Sequence, residues 1–195
     1  LINHPVREDI PIYWASLMGL SVKATAKLAN GWLPIFFDPD RFDAVWGEDL
    51  RAGLAERDPA LGQLEISAGG MVAIGDEYAN AGADAILDFA RPSVALYVGG
   101  MGARDKNFYN DYAKALGYEE AAAKIQDLYL AGKKDEAMAA VPDELVDACH
   151  LVGPAERIKE RLQEWKKAGA EGKIGSMLLG AGQVEAMELV AGEML

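Results

Sequence analysis

Cysteine and histidine are nearly missing from this chain. Its 195 residues contain one cysteine, Cys149, and two histidines, His4 and His150. A lone cysteine cannot close an internal disulfide, so a reducing compartment, and with it a cytoplasmic location, is expected. So few thiols and imidazoles leave no clustered ligand set, and no metal site is expected. Positive charge is scarce too: 19 Lys and Arg stand against 31 Asp and Glu, a formal net charge of −12. Nucleic-acid binding needs the opposite sign, and anionic membrane surfaces repel such a chain. Long apolar runs are also lacking. The longest nearly apolar stretch, residues 93–103, is broken by Gly99, Gly100 and Gly102 and is far too short to span a bilayer. Residues 1–7 show no signal-peptide core and no initiator Met, so the chain is expected to begin inside something larger.

The familiar nucleotide and nucleophile motifs are absent. There is no P-loop and no G-x-S-x-G. Gly100-Met101-Gly102 opens a G-x-G pattern, but Asp105 stands where the third glycine belongs, and helix rather than strand precedes it. Cys149 and His150 are adjacent, so on a helix their side chains diverge. Cys149 reads as a small buried filler. His150 reads as a helix C-terminal residue favoured by the dipole, and His4 as a solvated residue in an extended lead-in.

What is present is an ordinary globular composition, 51% hydrophobic and 26% charged, long enough for one domain with a core of its own. Residues 11–37 read as one β-α-β unit. A β-favouring run at 12–15 leads through Gly19 into a helix whose small apolar face is Val22, Ala26 and Ala29. Asn30-Gly31 closes that helix, because glycine takes the left-handed cap without penalty. The apolar run 32–37 suits a parallel strand covered on both faces. Asp38 and Pro39 then open a helix as cap and first position. A third strand is expected at 64–74, where Gly69-Gly70 marks a bulge or a close backbone approach. Residues 76–168 are helical almost throughout, with Ile86, Leu87, Ala90, Val94 and Val98 as buried positions of one helix that Pro92 bends. A fourth strand at 174–179 and an amphipathic helix at 183–194 end the chain. The pattern is α/β, with four strands each followed by a helix and one long helical insertion, roughly 76–152, after the third strand. Right-handed β-α-β crossovers favour a parallel sheet. A complete eight-stranded (β/α) barrel takes about 250 residues, so this chain fits half of one. No repeat or linker divides it, and residues 1–195 read as a single partial-barrel domain.

Three local features carry chemical interest. The loop at Ser16, Met18, Gly19, Leu20 and Ser21 places backbone N–H groups at a helix start, where phosphate binds readily. On spacing alone it reads as a plain β-α turn. At the end of the second strand, Phe36, Phe37 or Asp38 would line a pocket mouth if the sheet belongs to a barrel, whereas Trp32 and Ile35 read as core. In the stretch from Gly99 to Tyr109, Arg104 and Lys106 could collect a phosphate or carboxylate. Alternatively Asp105 caps the next helix, the cations are solvated, and Phe108 and Tyr109 are packed. Both readings stay open.

The stretch from Gly99 to Tyr109, with Asn30-Gly31-Trp32-Leu33-Pro34 and the run from Val152 to Ile158, resembles the luciferase-like monooxygenase superfamily. More narrowly, it resembles the branch of oxidoreductases that depend on coenzyme F420, a deazaflavin. The resemblance implies a TIM-like barrel in which the strands near Ile12, Leu33, Ile66 and Met177 are strands five to eight. It implies a cofactor phosphate at the loop after strand five, here Ser16, Met18, Gly19, Leu20 and Ser21. The family often has Gly-Pro where this chain has Gly19-Leu20. It also implies hydride transfer between C5 of the deazaflavin and an organic substrate, with Phe36, Phe37, Arg104, Lys106 and Asn107 near the pocket rim. The family's ring-contacting and acid/base residues belong to the first half of the barrel, so no catalytic residue is assigned here. Two other readings remain: an FMN-dependent monooxygenase of the same superfamily, and a non-catalytic half-barrel that binds a partner through its sheet edges. The expected partners are a small-molecule substrate and either the N-terminal half of the barrel or further copies of the chain. Alone, the chain is expected to lack activity and to self-associate or be unstable.

Overall fold

The structure, a computed structural model, describes residues 4, 6, 7, 9–76 and 81–195, and of 81–86 and 89 the backbone alone. The first unit is β1 (Tyr13–Trp14), α1 (Leu20–Leu28) and β2 (Gly31–Trp32), and the two strands pair in parallel. A 3₁₀ turn (Pro39–Arg41), α2 (Phe42–Val45) and α3 (Gly47–Leu54) follow, and then β3 (Glu65–Ile74). The insertion comprises α4 (Ala81–Ala95), a π turn (Leu96–Gly100), α5 (Phe108–Ala115), α6 (Glu119–Leu130), α7 (Lys134–Ala139) and α8 (Asp143–Ala148). The chain ends with β4 (Leu151–Gly153), α9 (Ala155–Ala170), β5 (Ser176–Ala181) and α10 (Val184–Met194).

All strands run parallel in one five-stranded sheet, and β3 is its hub. β2 pairs with the start of β3 and β4 with its end, while β5 runs along it from Ser67 to Val72. The α/β class and the parallel β-α-β unit are therefore as expected. Two strand expectations need correction. The run 32–37 is not a strand beyond Trp32: Pro34 has no N–H to offer a ladder, and Phe36 turns the chain at φ 50°. A fifth strand, β4, lies within the stretch 76–168 that was expected to be helical almost throughout.

The sheet's faces follow the strand alternation. Ile66, Ala68 and Val72 point one way and are buried, with α10 packed on β3 and β5 and α9 on β4. Glu65 and Ser67 point the other way. There Tyr13 donates to the Glu65 carboxylate, Ser176 donates to it at 3.0 Å, and the Ser67 and Ser176 hydroxyls share a hydrogen bond at 2.7 Å. Tyr13 reaches across β2 only because residue 31 is glycine; a Cβ there would stand 2.2 Å from ring carbons. The Gly69-Gly70 expectation resolves as close approach. A Cβ on either would lie 1.9 Å from a carbonyl oxygen, of Leu178 and Cys149 respectively.

The largest aromatic cluster anchors the loop after β2. Phe37 stacks on Trp46 with centroids 5.5 Å apart and also touches Phe42 and Trp165. Trp46 in turn stacks on Tyr112 at 5.7 Å, which ties α5 to the same core. In the insertion, Leu87, Ala90, Val94 and Val98 are buried as expected, while the Ile86 side chain lies outside the described residues. α4 runs through Pro92 and widens into the π turn. Among the described residues no helix is long and apolar enough to cross a membrane.

Candidate anion site at the end of the sheet

Because the strands are parallel, the segments that follow them gather at one end of the sheet. The loop after β1 is held there from below by two indoles. Trp32 Nε1 donates to the Ser16 carbonyl at 3.0 Å, and Trp46 Nε1 donates to the Leu17 carbonyl at 2.8 Å. The Ser16 hydroxyl pairs with Thr25 at 2.8 Å, fixing the loop against α1. Gly19 is the N-cap, at φ 59° and ψ −138°, a backbone that favours glycine. The first intrahelical bond is Lys23 N–H to the Gly19 carbonyl at 3.0 Å. The N–H groups of Leu20, Ser21 and Val22 thus precede the first intrahelical donor and have no acceptor within the helix; Val22 is fully buried, so Leu20 and Ser21 present the reachable pair.

No side chain caps this helix start. The Ser21 hydroxyl turns back and donates to the Met18 carbonyl at 2.7 Å instead. The first turn carries no acidic residue to repel an anion. A Cβ added at Gly19 would meet nothing within 4 Å, and Leu20 is 85% exposed, so the approach is open. Free donors and the positive end of the helix dipole therefore face one accessible spot.

The other predicted residues fare differently. Phe37 does not line a pocket: it is fully buried in the aromatic core. Asp38 is buried as well and accepts from Asp40 N–H at 3.0 Å as the cap of the 3₁₀ turn; burial pushes its carboxyl above the usual range. Phe36 is half-buried. Its carbonyl accepts from the Tyr112 hydroxyl at 2.7 Å, and its ring meets the edge of Tyr97, which in turn meets Tyr109. Arg104 is tied to Asp127 on α6 at the surface, and Lys106 is exposed. Asn107 is not a rim residue but 1% exposed. Its Oδ1 caps α5 through Tyr109 and Asn110 N–H, and its Nδ2 donates to the Tyr97 and Val98 carbonyls of the π turn. Asn107, not Asp105, is therefore the helix cap, and Phe108 is 71% exposed rather than packed.

Two polar side chains take roles that no local pattern signals. Gln183 extends the β3–β5 ladder with its amide, accepting from Ile74 N–H at 2.8 Å and donating to Ile74 carbonyl at 2.9 Å. His150 accepts from Met71 N–H through Nδ1 at 3.0 Å. It is a half-buried partner of the sheet rather than a cation at a helix end, and its partial burial lowers its protonation range. A groove of about 700 Å³ runs between α9, α10 and β5, lined by Trp165, Met177, Leu179, Val190 and Met194. It contains none of the predicted site residues.

Known proteins share this architecture. A solved coenzyme F420-dependent tetrahydromethanopterin reductase from Methanopyrus kandleri superposes with a TM-score of 0.61 at 20% identity, over 94% of this chain and 50% of that one. An F420-dependent secondary alcohol dehydrogenase, solved with an F420-acetone adduct, gives a TM-score of 0.57 at 14% identity, over 94% and 46%. In sequence, the chain is 36% identical to a protein of Mycobacterium tuberculosis (strain ATCC 25618 / H37Rv) named as a candidate coenzyme F420-dependent oxidoreductase. That match covers 94% of this chain and 51% of the relative, so the chain spans about half the length of the curated relative it matches. The family described as luciferase-like monooxygenase matches residues 1–172. With that match added to the sheet and loop just described, the chain belongs to the luciferase-like monooxygenase family.

Proposed function

We propose that this chain is the C-terminal, cofactor-anchoring half of a cytoplasmic coenzyme F420-dependent oxidoreductase. The observation that carries the reading is the uncapped start of α1 behind Gly19, at the end of the sheet where the strands' following loops converge. The donor set fits a phosphate: the exposed N–H groups of Leu20 and Ser21, no side-chain cap and no acidic first turn. Coenzyme F420 supplies the hydride chemistry at C5 of its deazaflavin ring when bound. The chain's own contribution is to hold the phosphate end at Gly19, Leu20 and Ser21. The named relative and the solved neighbours support F420 over FMN as the cofactor.

In this reading strands one to four of the barrel cover the face carrying Tyr13, Glu65 and Leu178 and pair with the edges at β1 and β5. Ile12 is 59% exposed and Leu178 51%, which supports a missing cover. Each large apolar side chain left in water forfeits about 1.5–3 kcal/mol of burial, against a domain stability of about 5–15 kcal/mol. The chain alone then self-associates and does not turn over substrate. The test is a fluorescence titration of coenzyme F420 into residues 1–195, with FMN and inorganic phosphate as competitors, alongside sedimentation. Binding that phosphate displaces and that Gly19→Val abolishes is expected; F420 binding unaffected by Gly19→Val overturns the site. A monodisperse monomer that oxidises reduced F420 overturns the half-barrel reading.

A further inference from the structure

β3 has two short partners on one side where a regular sheet has one long one. β2 pairs with Glu65 and Ile66, β4 with Val72, Ala73 and Ile74, and β5 takes the opposite side. Between β2 and β4 the N–H of Met71 meets no strand. His150, the residue before β4, takes that place through Nδ1 at 3.0 Å. Gly70 makes room for it; a Cβ there would stand 2.7 Å from Nδ1 as well as against the Cys149 carbonyl. An imidazole nitrogen accepts a hydrogen bond only while it carries no proton, so the ring is neutral with its proton on Nε2.

The charged groups around this ring come from the neighbouring helices. α8 contributes Asp147, and α9 contributes Arg161 and Arg157. Arg161 donates to the His150 and Asp147 carbonyls, and Arg157 to the Asp147 carboxylate and the Val152 carbonyl. Cys149 is fully buried, and burial pushes its thiol far above the usual range, so it stays uncharged. On β3 the facing residues, Gly70 and Met71, carry no charge. Burial and Arg161 disfavour the protonated ring, while Asp147 and the Cys149 backbone carbonyl oppose them.

We propose that His150 is a pH-sensitive latch between the sheet and the helical insertion. Neutral, it continues the β3 ladder from β2 to β4. Protonated, it releases the Met71 N–H and loosens Leu151–Gly153, the strand through which the insertion rejoins the sheet. Because folding lowers the proton affinity of the ring, the latch's stabilisation is complete above the ordinary histidine value of about 6.5. It is lost as pH falls through that value toward the depressed one.

The test follows amide hydrogen exchange at Met71 in the full chain, corrected for the intrinsic rate, at about pH 7.5 and about pH 5. In the wild type, protection at Met71 is expected to fall about tenfold, the worth of one hydrogen bond. His150→Asn keeps an uncharged acceptor near the Nδ1 position, so its protection should persist at both pH values. His150→Gln, whose amide falls near Nε2, should be unprotected at both. His4 remains in every variant and cancels from the comparison. Should His150→Gln not fold, ¹⁵N spectra of the wild type still decide: an Nε2–H tautomer at neutral pH is expected. Met71 protection that does not change with pH, equal pH dependence in His150→Asn, or an Nδ1–H tautomer overturns the latch.

Discussion

The loop after β1 and the segment from Gly99 to Tyr109 look alike as sequences: each has glycine, small polar residues and a helix start. The fold uses them in opposite ways. In the second segment two of the three candidate ligands are engaged within the protein, and Lys106 stands exposed. Asn107 holds the π turn and caps α5, and Arg104 is paired with Asp127. In the first, the serine hydroxyls turn onto the loop's own neighbours and the backbone donors are left over. Ser16 bonds Thr25 and Ser21 bonds Met18, while the start of α1 stays uncapped. Backbone N–H groups at a helix start have no intrahelical partner to satisfy them. Side-chain donors can swing to whatever acceptor packing provides, so charge at a loop is a weaker sign of a site than an unoccupied helix start.

The sharpest way to break this comparison is Asn107→Ala. It removes a cap worth about 1 kcal/mol and takes the side-chain donor from the Tyr97 carbonyl at about 1–3 kcal/mol, while the Val98 carbonyl keeps Asn110 Nδ2. Urea denaturation should show a loss of about 2–4 kcal/mol; a near-neutral result would return Asn107 to the pocket rim. Gly19→Val comes next. It forces a β-branched residue into a backbone favoured by glycine, at about 1–3 kcal/mol, and its larger readout is loss of phosphate competition in the cofactor titration. Tyr112→Phe removes one hydrogen bond to the Phe36 carbonyl and should cost about 1 kcal/mol. Arg104→Ala should leave both the denaturation midpoint and cofactor affinity unchanged, since its pair is exposed. A drop in affinity there would mean that the second segment reaches the ligand after all.

The β-α-β unit was legible because its signals are local: an apolar start, a glycine cap, small residues on one helical face. The helical character of the insertion was legible for the same reason, down to the buried positions Leu87, Ala90, Val94 and Val98. β4 was not, because three residues between two helices show no period, and its identity as a strand comes only from pairing with residues 72–74. The run 32–37 misled because continuous apolarity reports burial, and Phe37 is buried by aromatic contacts from Trp46, at the junction of α2 and α3, and from Trp165 of α9 rather than by a sheet. Of the candidate site, Gly19 and its neighbours were legible from glycine before a helix. The burial of Asn107 and the role of His150 were not, since their partners lie in the π turn and on β3, far from any local pattern.

β3 also sets the order in which this chain can assemble. Its pairing with β2 joins Gly31 to Glu65, whereas its pairing with β5 joins residues 109 apart, such as Ser67 and Ser176. Closing the longer loop costs only about 1 kcal/mol more in chain entropy, but long-range contacts of this kind slow folding. The insertion helices between them make mostly sequence-local contacts and can form first, shortening the span that β5 must close. A ribosome-bound chain would then carry an unpaired β3 edge until β5 and α10 emerge, and that interval is when it is most exposed to aggregation.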